Sequence, residues 1–231
     1  MQYQGSKNRL SKAILPIIEQ YRTPEQLYIE PFCGGCNIID KVSGPRVASD
    51  NHEYLIHMWI ELQKGWIPPT DVSKEQYYHV KNNQSLYSKA YIGYVGFMCS
   101  FGAKWWGGYA ANSKGDNYAD RASRVLTKQI QSLKDVQFMS IDYRDYEFDS
   151  ELESAFFYCD IPYKDTTQYS GSKFDHEEFY EWCRRMKDQG HTILVSEYEM
   201  PSDFECVLEI NHFTQLNKNK KESRVEKLFI L

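Results

Sequence analysis

The chain has no apolar run approaching the roughly 18 residues that a membrane-spanning helix requires. Its opening, MQYQGSKNRL, is polar and basic and lacks the apolar stretch of a secretory signal, so a cytoplasmic protein is expected. Positive charge is in deficit: 27 Lys and Arg against 32 Asp and Glu give a net charge of -5, which argues against a protein that coats nucleic acid. The full G-x-G-x-x-G fingerprint of a dinucleotide site is missing, which disfavours a phosphate cradle. There is one C-x-x-C, Cys33-Gly34-Gly35-Cys36, and no second pair to complete a zinc site. The six cysteines (Cys33, Cys36, Cys99, Cys159, Cys183 and Cys206) therefore read mostly as reduced core residues. There is no internal repeat, and biased composition is confined to NKNKKESR near the end.

What is present is enough apolar content, 42% of 231 residues, for one substantial core with a small subdomain added. Residues 11–21 carry helical apolar spacing, and LYI at 27–29 runs as a short strand into Glu30-Pro31-Phe32-Cys33-Gly34-Gly35. A second strand, RVAS at 46–49, ends in Asp50, with a helix expected over residues 36–42 between them. This is the pattern of a first βαβ unit. Strands resume at VQFMSID (136–142), AFFYCD (155–160), HTILVSE (191–197) and VEKLFIL (225–231), with an apolar density that suits burial on both faces.

Between His57 and Asp135 the texture changes. Ten Lys and Arg stand against six Asp and Glu, about +4, which leaves about -9 for the rest of the chain. Aromatics and glycines crowd into Tyr91 to Tyr109, a polar loop ANSKGDN follows, and Arg121 to Leu133 is amphipathic. The stretch reads as an inserted, mainly helical subdomain, residues 57–135, between the parts 1–56 and 136–231 of a catalytic domain.

Two constellations carry chemistry. At the first strand end, Glu30 repels a pyrophosphate and suits an ammonium or sulfonium group, the glycines let a ligand approach the backbone, and Asp50 can accept from ribose hydroxyls. At the second, Tyr158-Cys159-Asp160-Ile161-Pro162-Tyr163, an acid closes a strand, Pro162 stiffens the turn, and Tyr163 offers a face to a planar base.

In this order (Tyr3-Gln4-Gly5-Ser6-Lys7, the Glu30 loop, Ser49-Asp50-Asn51, a long insert, Asp142-Tyr143, Asp160 to Tyr163) the chain resembles the Dam-like class of DNA N6-adenine methyltransferases. The likeness runs from the N-terminus to at least Tyr169, and RVEKLFIL looks like that family's last strand. The resemblance implies a Rossmann-like α/β sheet that binds S-adenosylmethionine, with the insert as target-recognition subdomain. Tyr3, Gly5, Ser6 and Lys7 would border the cofactor, with Lys7 near the catalytic pocket or the methionine end. Glu30, Pro31, Phe32 and Gly34 would form the cofactor loop, Asp50 and Asn51 would serve the ribose strand end, and Asp142 and Tyr143 would lie near the cofactor's adenine. Asp160, Ile161, Pro162 and Tyr163 would be the catalytic turn, with Asp160 serving both pockets.

The implied reaction is methyl transfer to N6 of a flipped adenine in double-stranded DNA, by direct in-line displacement at a specific sequence. A cytosine C5 enzyme would need a nucleophilic cysteine, typically in Pro-Cys, and that dipeptide does not occur. Lys104, Trp105, Trp106, Tyr109, Arg121, Arg124 and Lys128 are the expected DNA contacts, with packing of the subdomain as the alternative for the tryptophans. Lys218, Lys220 and Lys221 read as a solvated loop, or else as a further phosphate contact. The resemblance also implies a bacterial or phage-encoded protein, with a cognate restriction enzyme as a possible partner. The chain departs from the family at Ile161, where the pattern has proline, and it lacks a recognisable reader of GATC. Rival readings are a methyltransferase of RNA or of a protein amide, and a DNA-binding homologue with little turnover.

Overall fold

The structure is a computed structural model that describes residues 1–148, 154–164, 174–217 and 220–231, with the side chains of 212–217 and 220–224 left aside. Tyr169 and Lys218, and the side chains of Lys220 and Lys221, lie outside the described residues. Seven strands form one sheet: β1 (Leu27–Glu30), β2 (Arg46–Ser49), β3 (Val136–Met139), β4 (Ala155–Asp160), β5 (Thr192–Glu197), β6 (Glu205–Asn217) and β7 (Lys220–Ile230). Their order is β3-β2-β1-β4-β5-β7-β6. The first five run parallel, and β7 lies antiparallel to both β5 and β6. This is a Rossmann-like sheet whose order reverses between β1 and β4, the place where ligands of such sheets bind, outside the carboxyl ends of the strands.

Alternation along the strands explains the layering, since neighbouring residues face opposite sides. Phe156 and Tyr158 of β4 join one apolar cluster with Ile14 and Ile18 of α1 (Ser11–Tyr21). Phe157 and Cys159 join the other, with Phe179, Trp182, Cys183 and Met186 of α6 (His176–Asp188). Those α6 positions recur at helical spacing, and Asp175 caps the helix by accepting from the Glu178 amide at 3.0 Å. Each large side chain fully buried here contributes roughly 1.5–3 kcal/mol.

Among the described residues the remaining α-helices are α2 (Glu53–Gln63), α3 (Lys74–Asn82), α4 (Lys89–Gly93), which runs on as a π turn over Tyr94–Met98, and α5 (Tyr118–Gln129). Residue 57 falls inside α2, whose Trp59 stacks on Phe138 of the third strand at 6.0 Å. One cluster runs from Tyr28 and Ala48 on the sheet to Tyr77, Val80 and Tyr94.

The helix expected over residues 36–42 is instead a single 3-10 turn, Ile39–Lys41. Cys36 has φ +51, outside the helical region, and the Arg46 guanidinium takes the Ile39 carbonyl at 2.9 Å. Lys220 and Lys221 begin β7 rather than lie in a loop, because the backbone of Lys221 pairs with Gln215.

Candidate active site

Parallel strands bring their carboxyl ends to one edge, and here an acid stands at or just beyond each: Glu30, Asp50, Asp142, Asp160 and Glu197. The antiparallel β7 adds a sixth, because Lys227 pairs with Glu197 and so places Glu226 beside the β5 end.

The catalytic turn follows β4. Asp160 keeps a quarter of its side-chain surface open, and its Oδ1 accepts from Lys7 Nζ at 2.6 Å. The same ammonium lies 4.6 Å above the Tyr163 ring and 3.6 Å from Glu226 Oε1, and the Tyr163 hydroxyl donates to Glu226. Lys7 reaches this place from a tight turn in which the Ser6 amide donates to the Tyr3 carbonyl at 3.2 Å and Lys7 Nζ itself donates to the Gly5 carbonyl at 3.3 Å. Glu197 is engaged on both oxygens, by the amides of Lys164 at 2.9 Å and Tyr198 at 3.0 Å. Ile161 is buried, and the Pro162 carbonyl is 2.9 Å from His176 Nε2. Burial pushes the Asp160 carboxyl up to about 6, against the pull of Lys7, and pushes Glu197 up to about 7. Burial alone would lower the Lys7 ammonium, but Asp160 and Glu226 outweigh it and hold it raised.

The cofactor loop is fixed from beneath. The Gly34 amide donates to Asp50 Oδ2 at 3.2 Å, the His52 amide to Asp50 Oδ1 at 3.0 Å, and the Trp59 indole to the Gly34 carbonyl at 3.2 Å. The glycines here serve Tyr3: with φ +44, Gly34 would place a Cβ 2.6 Å from the tyrosine ring. Asp50 is pushed by burial up to about 6. Glu30 is 4% exposed, accepts from the Tyr28 hydroxyl at 2.8 Å and is pushed by burial up to about 8, so it turns into the core beneath buried Pro31. Phe32 packs on Tyr143 at 5.3 Å and on Phe174 at 5.8 Å. Asp142 is gripped by Arg144 at 2.7 and 3.0 Å and by the side chain of Asn51; burial would raise its carboxyl, and these bonds hold it below its ordinary value.

Of the expected DNA contacts, Trp105 and Trp106 are half-buried. Trp105 stacks with Tyr54 at 5.5 Å, packs against His52 and Phe97, and would be struck by any Cβ at Gly96. The Tyr109 hydroxyl donates to the Val72 carbonyl at 2.8 Å, so all three rings hold the helical region together. Lys104, Arg121, Arg124 and Lys128 are exposed, the last three on the face of α5 opposite its buried Ala119, Ser123 and Leu126; Arg124 also pairs with Asp120 at 2.6 Å.

Sequence reasoning passed over Glu197, Glu226, His52 and Trp59. Glu197 had a legible signal, since HTILVSE ends in an acid as the other parallel strands do. Glu226 had none, because its place depends on β7 entering between β5 and β6. Cys33, Cys36, Cys99, Cys159 and Cys183 are free and buried, Cys206 is free and exposed, and among the described residues no cluster of His, Cys, Asp or Glu is suited to a metal. Nor is any helix there long and apolar enough to cross a membrane.

The acceptors at this edge are carboxylates, and the cations Lys7 and Arg144 there are already paired. That set fits a cationic nucleoside and does not fit a phosphate. A family model described as D12 class N6 adenine-specific DNA methyltransferase matches residues 3–229. Among solved structures, the rRNA methyltransferase aviRa from Streptomyces viridochromogenes is similar at 11% identity and a TM-score of 0.43, over 99% of this chain and 86% of that one. The protein SMU.472 in complex with SAH is similar at 9% identity and a TM-score of 0.40, over 97% of this chain and 52% of that one. No curated protein matches the sequence.

Proposed function

This chain belongs to the D12 class of N6 adenine-specific DNA methyltransferases, and from that premise we propose that it methylates a specific site in double-stranded DNA through an adenine flipped into the Asp160 turn. The cofactor, S-adenosylmethionine, supplies an electrophilic methyl group on a cationic sulfur. The observation that carries the reading is Asp160 at the switch-point edge with Tyr163 beside it, on the same edge as the acids that suit the cofactor.

The adenine amino group is a poor nucleophile because its lone pair is delocalised into the ring. The Asp160 carboxylate and the Ile161 backbone carbonyl accept its two N–H bonds and orient the lone pair, so positioning and electrostatics do most of the work. Isoleucine supplies that carbonyl as proline would, and Pro162 still biases residue 161 to an extended conformation. As the N6–methyl bond forms, the methyl–sulfur bond breaks with its electron pair left on sulfur, and an N6 proton passes to the Asp160 carboxylate and on to water. Flipping costs a few kcal/mol, which stacking on Tyr163 partly offsets. Asp50 would hold the cofactor's ribose, with Asn51 at the same strand end, while Asp142 and Tyr143 would flank its adenine. Tyr3, Gly5, Ser6, Pro31, Phe32 and Gly34 would shape the loop around it, and Glu30, held in the core by the Tyr28 hydroxyl, anchors the strand end beneath that loop. Residues 57–135 form the target-recognition part and 1–56 with 136–231 the catalytic part, with Lys104, Arg121, Arg124 and Lys128 on DNA phosphates.

The test is to incubate the protein with methyl-labelled S-adenosylmethionine and mixed-sequence duplex DNA, digest the DNA to nucleosides and look for N6-methyladenine. Label on RNA or on protein amides instead would replace the substrate named here.

A further inference from the structure

The reading above asks two things of the catalytic turn that Lys7 already uses. An incoming amino group needs the Asp160 oxygen, and Lys7 Nζ holds Oδ1 at 2.6 Å; an incoming ring needs the Tyr163 face, and the ammonium lies 4.6 Å above it. Lys7 is 7% exposed, and a buried ammonium displaced from its anion must find another. Glu197 is held in place by two backbone amides, one on each oxygen. Glu226, 2% exposed on β7, is already 3.6 Å from the ammonium, a gap that a small side-chain movement closes to hydrogen-bond distance. Its Oε1 also accepts from the Tyr163 hydroxyl, so one carboxylate touches both the stacking ring and the displaced cation.

We infer that Glu226 is a positioning residue of the active site, which fixes the Tyr163 ring and takes over the Lys7 ammonium when the target amino group claims Asp160. This rests on the adenine reading. It assigns to Lys7 the work of keeping the catalytic carboxylate paired until the base arrives, and to Glu226 the work of making its release affordable. Without the second anion Lys7 stays on Asp160 and competes with the base.

Two substitutions separate charge from hydrogen bonding. Glu226→Gln keeps an acceptor for Tyr163 and removes the charge, whereas Glu226→Asp keeps the charge on a shorter arm. Methyl transfer to mixed-sequence duplex at saturating DNA gives kcat, and titration with S-adenosylhomocysteine counts folded sites. Glu226→Gln is expected to lower kcat per folded site by about tenfold or more with cofactor affinity changed less than about twofold, and Glu226→Asp to recover most of it. Glutamine equal to the wild type, or glutamine outperforming aspartate, would overturn the inference. A wild-type protein that puts no methyl group on DNA adenine would instead overturn the adenine reading, and the inference with it.

Discussion

Asp160 illustrates how one residue's surroundings set its chemistry. Burial pushes its carboxyl up to about 6, and Lys7 pulls against that rise. The ionised form is the stronger acceptor of an N6–H bond and alone can take up the N6 proton, so activity should fall as pH drops through about 6, with loss on the acid side. A profile of kcat/KM for DNA between pH 5 and 8, which reports the protein before the base displaces Lys7, measures this; a profile flat across that range would remove Asp160 from its role. Asp160→Ala should cut methyl transfer by roughly 100-fold or more and leave DNA affinity nearly unchanged. Turnover and a binding titration on the same preparation separate these effects.

At the scale of elements, the cofactor loop depends on a contact that its glycines disguise. A Cβ at Gly34 would sit 2.6 Å from Tyr3, in a left-handed conformation. Gly34→Ala should therefore cost about 1–3 kcal/mol and weaken cofactor binding, through strain together with the displaced ring. Adding Tyr3→Ala should return part of the lost stability, which thermal melting of the single and double variants would show. The same loop marks where sequence reading succeeds and fails. The helix at Ser11–Tyr21 and the strand Ala155–Asp160 were legible to the residue, because apolar spacing and an acid-ended apolar run are local signals. The segment after Gly35 was not, since Cys36 leaves the helical region and the Arg46 side chain occupies the Ile39 carbonyl. Asp160 and Tyr163 could be read from their own motif, whereas Glu226 joins them only through the register of an antiparallel strand.

For the whole molecule, a net charge of -5 has to be reconciled with a polyanionic substrate. Segregation does this: the region between residues 57 and 135 carries the basic excess, and Arg121, Arg124 and Lys128 share an exposed face of one helix. Replacing all three by alanine should weaken DNA binding at low salt and reduce the slope of log affinity against log salt by roughly 2 to 3. Arg124 contributes the least of the three, since Asp120 already pairs with it. A slope equal to that of the wild type would move the DNA surface elsewhere.

The central claim, methyl transfer to adenine in DNA, is tested most directly by mass spectrometry of nucleosides from duplex DNA treated with the protein and labelled S-adenosylmethionine. Labelled N6-methyladenine, absent when Asp160→Ala replaces the wild type, is the predicted result. Protein that binds the cofactor yet leaves every DNA nucleoside unlabelled would contradict it.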